Sequence, residues 1–288
     1  METQKITVAL RDPMQAIRQA CGHETASHSF ASLFLWQQDM DLSVCLRERA
    51  FAVRCGHWGD DCWFFPCGER DAVLDLVEDI LDSSPKARFL YLRQGDADLL
   101  TQHFPGRFRL ESAEDASEYL YDRREYMTLP GSRNQHIRWC LNHLKHHCEL
   151  RTELLSDVNM DVARDMLDRW EPCSETDYFA NDHATAKMML GNMADLDMTG
   201  VIVYVDGEAA ALAAGFPLSD RVYDIAFSKA LERERGLQFY GRRALIERLP
   251  ERYEFINGEE DLGIPGLRQS KMQENPIGRI EMFCAYAT

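Results

Sequence analysis

The sequence has no long hydrophobic run. Its most apolar window, residues 209–218, is ten residues long and contains Gly215 and Pro217, whereas a helix needs about 20 apolar residues to cross a bilayer. The first 18 residues also lack the basic-then-apolar order of a secretory signal. These absences exclude a membrane-spanning helix and predict a soluble protein of the cytoplasm.

Basic residues are scarce relative to acidic ones. The 288 residues include 32 Lys and Arg against 48 Asp and Glu, a net charge of −16. Proteins that coat nucleic acid or anionic membranes need a broad basic surface, so both classes are disfavoured. Locally, residues 121–151 carry six basic and three acidic residues with four histidines, and residues 229–288 carry ten of each sign. An anionic ligand is expected in these two segments, although the first is also typical of a solvated basic helix.

Several catalytic patterns are missing. The sequence contains no P-loop, nucleophile elbow or H-E-x-x-H motif, so a nucleotide-dependent kinase or a hydrolase has no support. Four potential zinc ligands lie within thirteen residues: Cys55, His57, Cys62 and Cys67. They form no C-x-x-C pair, which is the spacing typical of structural zinc sites. The nine cysteines are an odd number, which favours thiols in a reducing compartment. We expect no metal, and no disulfide among these three cysteines.

Length and periodicity predict two domains. A chain of 288 residues exceeds the roughly 150 typical of one domain. Asp206-Gly207 between two apolar runs is among the strongest hairpin signals, and Ser27 or Ser29 is suited to cap the first strongly apolar helix. Helical spacing recurs in both halves, over residues 27–38, 71–82, 131–148, 160–170, 184–196 and 237–249. This repeated order predicts a structural duplication, with domains at residues 1–125 and 126–288, the second beginning with a long linker helix.

The segment YEFINGEEDLGIPGLRQSK, residues 253–271, combines the features of a binding loop. A strand-like run leads into Asn257, three acidic residues follow, and glycines with a proline turn and stiffen the chain. Arg268 and Lys271 are three residues apart, so on a helical turn they share one face and can hold one anionic group. The alternative is a solvated turn whose charges only stabilise the fold.

A second candidate lies between a predicted strand and a helix. Arg233 and Gly236 belong to the sequence R-E-R-G-L-Q at residues 233–238. A glycine at a helix start lets backbone N–H groups and the helix dipole approach a phosphate closely. An ordinary exposed loop is the alternative for so short a motif.

These residues resemble a family pattern. Asn257, Glu259, Asp261–Gly263, Gly266–Arg268 and Lys271 fit I-N-R-E-x-D-L-G-x-x-G-L-R-x-x-K, typical of the phosphatidylglycerol lysyltransferase C-terminal domain and of many soluble bacterial relatives. Residues 33–36, 65–68 and 131–142 extend the resemblance over nearly the whole chain. It implies an α+β fold of two tandem GNAT-type acyltransferase domains related to the Fem peptidyltransferases, with mixed, mostly antiparallel sheets flanked by helices.

The resemblance also implies roles for individual residues. Asp261 and Glu259 are predicted to position the acceptor or to act as the base, and Lys271 to act in catalysis or to bind an anion. Donor binding is predicted for Arg268, Arg233, Gly236, Arg138 and Asn257. No tightly bound cofactor is expected, because the donor is a substrate.

Three functions remain open at this point. The first is aminoacyl transfer from the acceptor end of aminoacyl-tRNA to an amine or hydroxyl on a small molecule, peptide or lipid. The second is an N-acyltransferase that uses acyl-CoA, which Gln238 disfavours because a small residue is usual in a pyrophosphate loop. The third is a non-catalytic ligand-binding protein, since Gly258 stands where the family pattern has Arg.

Overall fold

The computed structural model describes residues 1–59, 61–170, 177–231 and 235–288, with the backbone alone for residues 177–181. The chain divides into two compact units. The first contains Met1–Tyr119, Glu259–Arg268 and Arg279–Thr288, and the second contains Leu120–Gly258 and Gln269–Gly278. The first unit therefore combines one long segment with two short ones, and the second unit combines one long segment with a single short one.

Helices and strands alternate through both units. Within the described ranges the helices are α1 (Arg11–Ala20), α2 (Phe30–Trp36), α3 (Arg70–Ser83), α4 (Gln94–His103), α5 (Arg123–Thr128), α6 (Gln135–His147), α7 (Met160–Arg169), α8 (Asp177–Gly191), α9 (Leu237–Arg248) and α10 (Pro265–Gln273). The strands are β1 (Leu42–Leu46), β2 (Ala50–Cys55), β3 (Cys62–Gly68), β4 (Arg88–Leu92), β5 (Phe108–Ser112), β6 (Glu118–Asp122), β7 (Leu150–Leu154), β8 (Thr199–Val205), β9 (Glu208–Pro217), β10 (Val222–Ala230), β11 (Phe255–Asn257), β12 (Gly278–Ile280) and β13 (Phe283–Ala287).

The sheet of the first unit has the strand order β1-β2-β3-β4-β13-β5. Strands β3 and β4 are parallel, and the other neighbours are antiparallel. Helix α3 places Val73, Leu76, Val77 and Ile80 at helical spacing, and all four side chains are buried in the core on this sheet. That apolar stripe is why residues 70–83 form a helix that packs against the sheet.

The sheet of the second unit has the order β12-β6-β11-β10-β9-β8-β7. Strands β10 and β11 are parallel, whereas β11-β6, β10-β9, β9-β8 and β8-β7 are antiparallel. Helix α9 covers this sheet, and a Cβ on its Gly241 would lie 3.8 Å from the Cβ of Ala211 in β9. Small residues on both elements thus let the helix approach the strands closely.

Both sheets are mixed, mostly antiparallel and flanked by helices, which confirms the expected fold class. The predicted hairpin is present, and Asp206 and Gly207 in its turn both have positive φ, at 52° and 87°. Near the C-terminus, the short strands β12 and β13 belong to different sheets. The chain breaks between them because Met282 is fully buried and its N–H donates to Ser117 Oγ at 3.2 Å.

Candidate functional site

Asp261 is the centre of a hydrogen-bonded cluster in the first unit. Its side chain is fully buried, and Oδ2 accepts from the Tyr119 hydroxyl at 2.6 Å and from Arg268 Nε at 2.8 Å. Oδ1 accepts from the Gly263 N–H at 2.9 Å and from Arg268 Nη2 at 3.0 Å. Arg268 also donates to Asp115 Oδ1 at 2.7 Å. The structure therefore brings Asp261 and Arg268 together as a bidentate ion pair.

The electrostatics of this pair bear on the role predicted for Asp261. Burial opposes its ionisation, but hydrogen bonds from Arg268, Tyr119 and the Gly263 amide outweigh burial and lower the pKa of Asp261. A carboxylate with a lowered pKa and its oxygens already bonded is a poor proton acceptor. The geometry favours a positioning role for Asp261, while Arg268 keeps 40% of its side chain exposed and can still face a ligand.

The loop around Asp261 is held in a strained conformation. Glu259 and Leu262 have φ values of 59° and 53°, in the left-handed region that favours glycine. The Glu259 carbonyl accepts from the Tyr119 N–H at 3.0 Å, and the Leu262 N–H donates to the Asp115 carbonyl at 3.0 Å. These main-chain bonds fix the loop and leave the Glu259 side chain half-buried. Its catalytic role stays a prediction.

Lys271 and Asn257 lie in the second unit and are both buried. The Lys271 ammonium donates to the Gly258 carbonyl, and the Lys271 carbonyl accepts from the Tyr121 hydroxyl at 3.0 Å. A Cβ on Gly258 would lie 2.8 Å from Cε2 of Tyr121, so the tyrosine ring occupies the space that a larger residue would need. Arg268 and Lys271 thus bond to different acceptors, and the role of Lys271 stays a prediction.

Gly236 caps the N-terminus of α9 with a φ of 86°, which favours glycine. A Cβ at this position would lie 2.8 Å from the Cβ of Cys140 in α6, so the turn sits directly on that helix. Arg138 of α6 donates to the carbonyls of Leu129 and Gly131 at 2.5 and 2.6 Å, and so fixes the turn before the helix. Arg233 lies outside the described residues.

The sheet of the second unit opens near this turn. The pairing of β10 with β11 runs from Val222–Phe255 to Asp224–Asn257, where β11 ends, while β10 continues to Ala230. Gln238 in the first turn of α9 reaches across to donate to the Ser228 carbonyl at 3.0 Å. Ligands bind preferentially at the carboxyl ends of parallel strands. The end of β10 that extends past β11 is therefore the candidate site of this unit.

A partly buried ion pair that no sequence motif indicates lies on this end of β10. Lys229 pairs with Asp182 of α8, and each side chain is only 14% exposed. The Lys229 ammonium also lies 4.5 Å from the ring centroid of Trp170. The two charged partners are 47 residues apart, so no local spacing indicates the pair. Tyr119 and Asp115 are likewise far in sequence from their partners Asp261 and Arg268, so no local spacing indicates these contacts.

Metal binding and disulfides can be assessed for the described part of the chain. There, no group of three or more His, Cys, Asp or Glu could hold a metal ion. Cys55, Cys62 and Cys67 are free thiols. None of the described helices is long and apolar enough to cross a membrane.

The family pattern extends over almost all of the chain. The family model described as phosphatidylglycerol lysyltransferase, C-terminal, matches residues 18–286. The chain belongs to this family. No curated protein matches the sequence.

Solved structures show the same fold. A conserved protein of unknown function from Bacteroides thetaiotaomicron superposes with a TM-score of 0.90 at 23% identity, over 100% of both chains. L-PGS from Bacillus licheniformis gives 0.64 at 15% identity, over 96% of this chain and 92% of that one. FemX gives 0.60 at 8% identity, over 100% and 98%. The chain therefore shares the fold of L-PGS and FemX, as expected.

Proposed function

We propose that this protein is an aminoacyltransferase, which moves an aminoacyl group from aminoacyl-tRNA to an amine or hydroxyl acceptor. The observation that carries the proposal is the family match over residues 18–286, which includes residues of both units. The likeness to L-PGS and FemX supports the scaffold rather than a substrate. The acceptor belongs to the class of small molecules, peptides or lipids that present a nucleophilic nitrogen or oxygen.

The reaction requires charge stabilisation more than a cofactor. The acceptor attacks the ester carbonyl of the donor, a tetrahedral intermediate forms, and the ribose hydroxyl leaves with the proton that the acceptor loses. A fixed cation near the carbonyl oxygen stabilises the negative charge of this intermediate. In the second unit, Asp182 and the Trp170 ring hold Lys229 at the open end of β10, which is suitable for that role.

Acyl-CoA is the second candidate donor, and one observation favours it. Gly236 begins α9 in a left-handed conformation beside the opening between β10 and β11. Backbone N–H groups at such a helix start can bind a pyrophosphate. The same turn can also bind a phosphate of a nucleic acid, so only a donor assay separates the two.

The test compares donors under one set of conditions. Purified protein is incubated with tRNA charged with radiolabelled amino acids, or with radiolabelled acetyl-CoA, and with phosphatidylglycerol vesicles, amines and peptides as acceptors. We expect label to enter an RNase-resistant product from the charged tRNA. Transfer from acetyl-CoA alone would support the second donor, and binding of either donor without transfer would support a non-catalytic protein.

Two lysine variants test the site within that assay. Lys229→Met should lower the transfer rate by about a hundredfold, the cost of removing one oxyanion donor, while Lys229→Arg should retain part of it. Lys187 of α8 is the matched control, because it is also a lysine paired with an aspartate, Asp168, but its side chain is 47% exposed. Equal rates for Lys229→Met and Lys187→Met, with both variants folded by circular dichroism, would exclude Lys229 from the chemistry.

A further inference from the structure

Helix α6 carries a row of four aromatic rings on its outer face, of which the first three are stacked. His136 and Trp139 have ring centroids 6.3 Å apart with planes inclined by 17°, and Trp139 and His143 are 5.4 Å apart at 16°. His147 continues the row 4.2 Å from His143. The four positions span twelve residues, and the eleven steps between the first and the last cover about 16 Å along the helix axis. We call these four residues the ring row.

The ring row contributes little to the packing of the fold. Trp139 is 52% exposed, and His136 and His147 are exposed as well. The buried side of α6 consists of other residues, Ile137, Cys140, Leu141 and Leu144. An exposed indole forgoes the free energy that burial of its apolar surface would provide. A contiguous exposed aromatic surface is typical of a binding site.

The charge of this helix differs from that of the whole chain. Residues 135–147 contain Arg138 and Lys145 with four histidines and not one acidic residue, in a protein with 48 acids and a net charge of −16. Such a helix attracts a polyanion while the rest of the surface repels it. Aromatic rings interleaved with basic residues are the arrangement with which proteins bind single-stranded nucleic acid, since every base has a face that can stack.

The ring row also begins beside the turn at Gly236, where the donor is proposed to bind. His136 Nε2 lies 3.6 Å from Cys140 Sγ, and Cys140 is the residue against which Gly236 packs. A strand laid along the row therefore has one end at the start of α9. At roughly 3.4 Å per stacked nucleotide, the row accommodates about four or five nucleotides.

We propose that the ring row is a docking surface for single-stranded RNA, which under the proposed function is the unpaired 3′ end of the donor tRNA. This inference rests on the proposed function for the identity of the RNA. A membrane-surface helix would instead combine its Trp with Leu and Phe on one face, whereas three of the four rings here are polar imidazoles. The observations thus favour an RNA strand over a bilayer.

The experiment measures binding of uncharged tRNA, so it is independent of transfer. Fluorescently labelled tRNA with an intact 3′ end is compared with the same tRNA trimmed to a blunt acceptor stem, by anisotropy at about 50 and 200 mM salt. We expect Trp139→Leu to weaken binding of the intact tRNA roughly tenfold to a hundredfold, as loss of a stacking contact does, and to leave the trimmed tRNA unaffected. Trp139→Tyr should remain within about threefold of the wild type, because it keeps a ring.

Trp58 provides the matched control. It is 40% exposed and contacts a histidine, His57, but belongs to the first unit, so Trp58→Leu should leave tRNA binding unchanged. Equal losses on intact and trimmed tRNA, or no loss at all, would overturn the proposal. So would wild-type protein that binds neither RNA, or Trp139→Leu that impairs only vesicle binding or self-association. Selective binding without aminoacyl transfer would leave the ring row standing and refute the proposed function.

Discussion

Removing either partner of the ion pair between Asp261 and Arg268 should lower the stability of the protein, but by different amounts. Asp261→Ala removes the acceptor for the buried Tyr119 hydroxyl and for the Gly263 amide, each worth about 1 kcal/mol. The guanidinium that loses its partner is 40% exposed and keeps Asp115, so water and that carboxylate solvate it. We expect Asp261→Ala to lower the free energy of unfolding by about 2–3 kcal/mol.

Removal of the Arg268 cation should lower the free energy of unfolding more than removal of Asp261 does. Arg268→Ala leaves the carboxylate of Asp261 fully buried with its charge uncompensated, and a buried charge without its partner is strongly destabilising. We therefore expect the urea midpoint of Arg268→Ala to lie below that of Asp261→Ala, and Tyr119→Phe to lie closest to the wild type. The measurement is urea unfolding at pH 7, followed by far-UV circular dichroism.

Acid provides a test of the mechanism. Because the folded-state pKa of Asp261 is lowered, its contribution is complete above the unfolded pKa of about 4 and disappears as the pH falls through the folded value. The difference between wild type and Arg268→Ala should accordingly be full at pH 7 and shrink towards pH 3. Variants within 1 kcal/mol of the wild type at pH 7, combined with loss of transfer, would refute the positioning role and restore Asp261 as a catalytic group.

Three smaller predictions concern a thiol and two glycines. A hydrogen bond from Cys67 outweighs burial and lowers the pKa of the Cys21 thiol to about 6, so its alkylation by iodoacetamide should be half-maximal near pH 6, and Cys67→Ala should move that midpoint upward. Gly236→Ala should destabilise the protein by about 1–3 kcal/mol in urea unfolding, through its positive φ and a steric clash. Gly258→Ala should also destabilise, and Tyr121→Ala should suppress the effect in the double variant.

Each of these has a comparison that isolates its cause. Gly207 has a φ of 87° and open space around its Cβ position, so Gly207→Ala measures the conformational cost of Gly236→Ala without the contact. Equal losses of unfolding free energy at the two sites would mean that Cys140 moves aside without a measurable destabilisation. Additive losses for Gly258→Ala and Tyr121→Ala would show that the ring does not limit position 258. A midpoint for Cys21 near pH 9 would exclude the influence of Cys67.

Local patterns predicted local structure well. The apolar spacing over residues 71–82 predicted α3, found at Arg70–Ser83, because side chains at helical spacing must face one core. Ser29 caps α2 by accepting from the Ser32 N–H at 3.1 Å, one of the two caps expected. The Asp206-Gly207 turn followed from the backbone conformation that these residues tolerate.

The partners of the candidate site residues could not be predicted in this way. Three-residue spacing correctly placed Arg268 and Lys271 in one helix, α10. It could not indicate that Asp115, 153 residues away, and Asp261 bind the guanidinium. Spacing alone gives no reason for Arg268→Ala to lower the free energy of unfolding, whereas the buried ion pair with Asp261 does. Spacing determines which face a side chain shares, whereas tertiary packing determines what it meets.

The position of β13 ties the first unit to the end of the chain. This strand lies between β4 and β5 and is hydrogen-bonded to both, through pairs such as Phe283 with Leu92 and Phe283 with Ser112. During synthesis β4 and β5 emerge from the ribosome long before their common neighbour, so the sheet of the first unit stays incomplete until β13 has emerged. Any nascent chain cut short before β13 keeps two open strand edges, which mark it for aggregation or degradation. A chain that lacks β13 therefore cannot complete the sheet of the first unit.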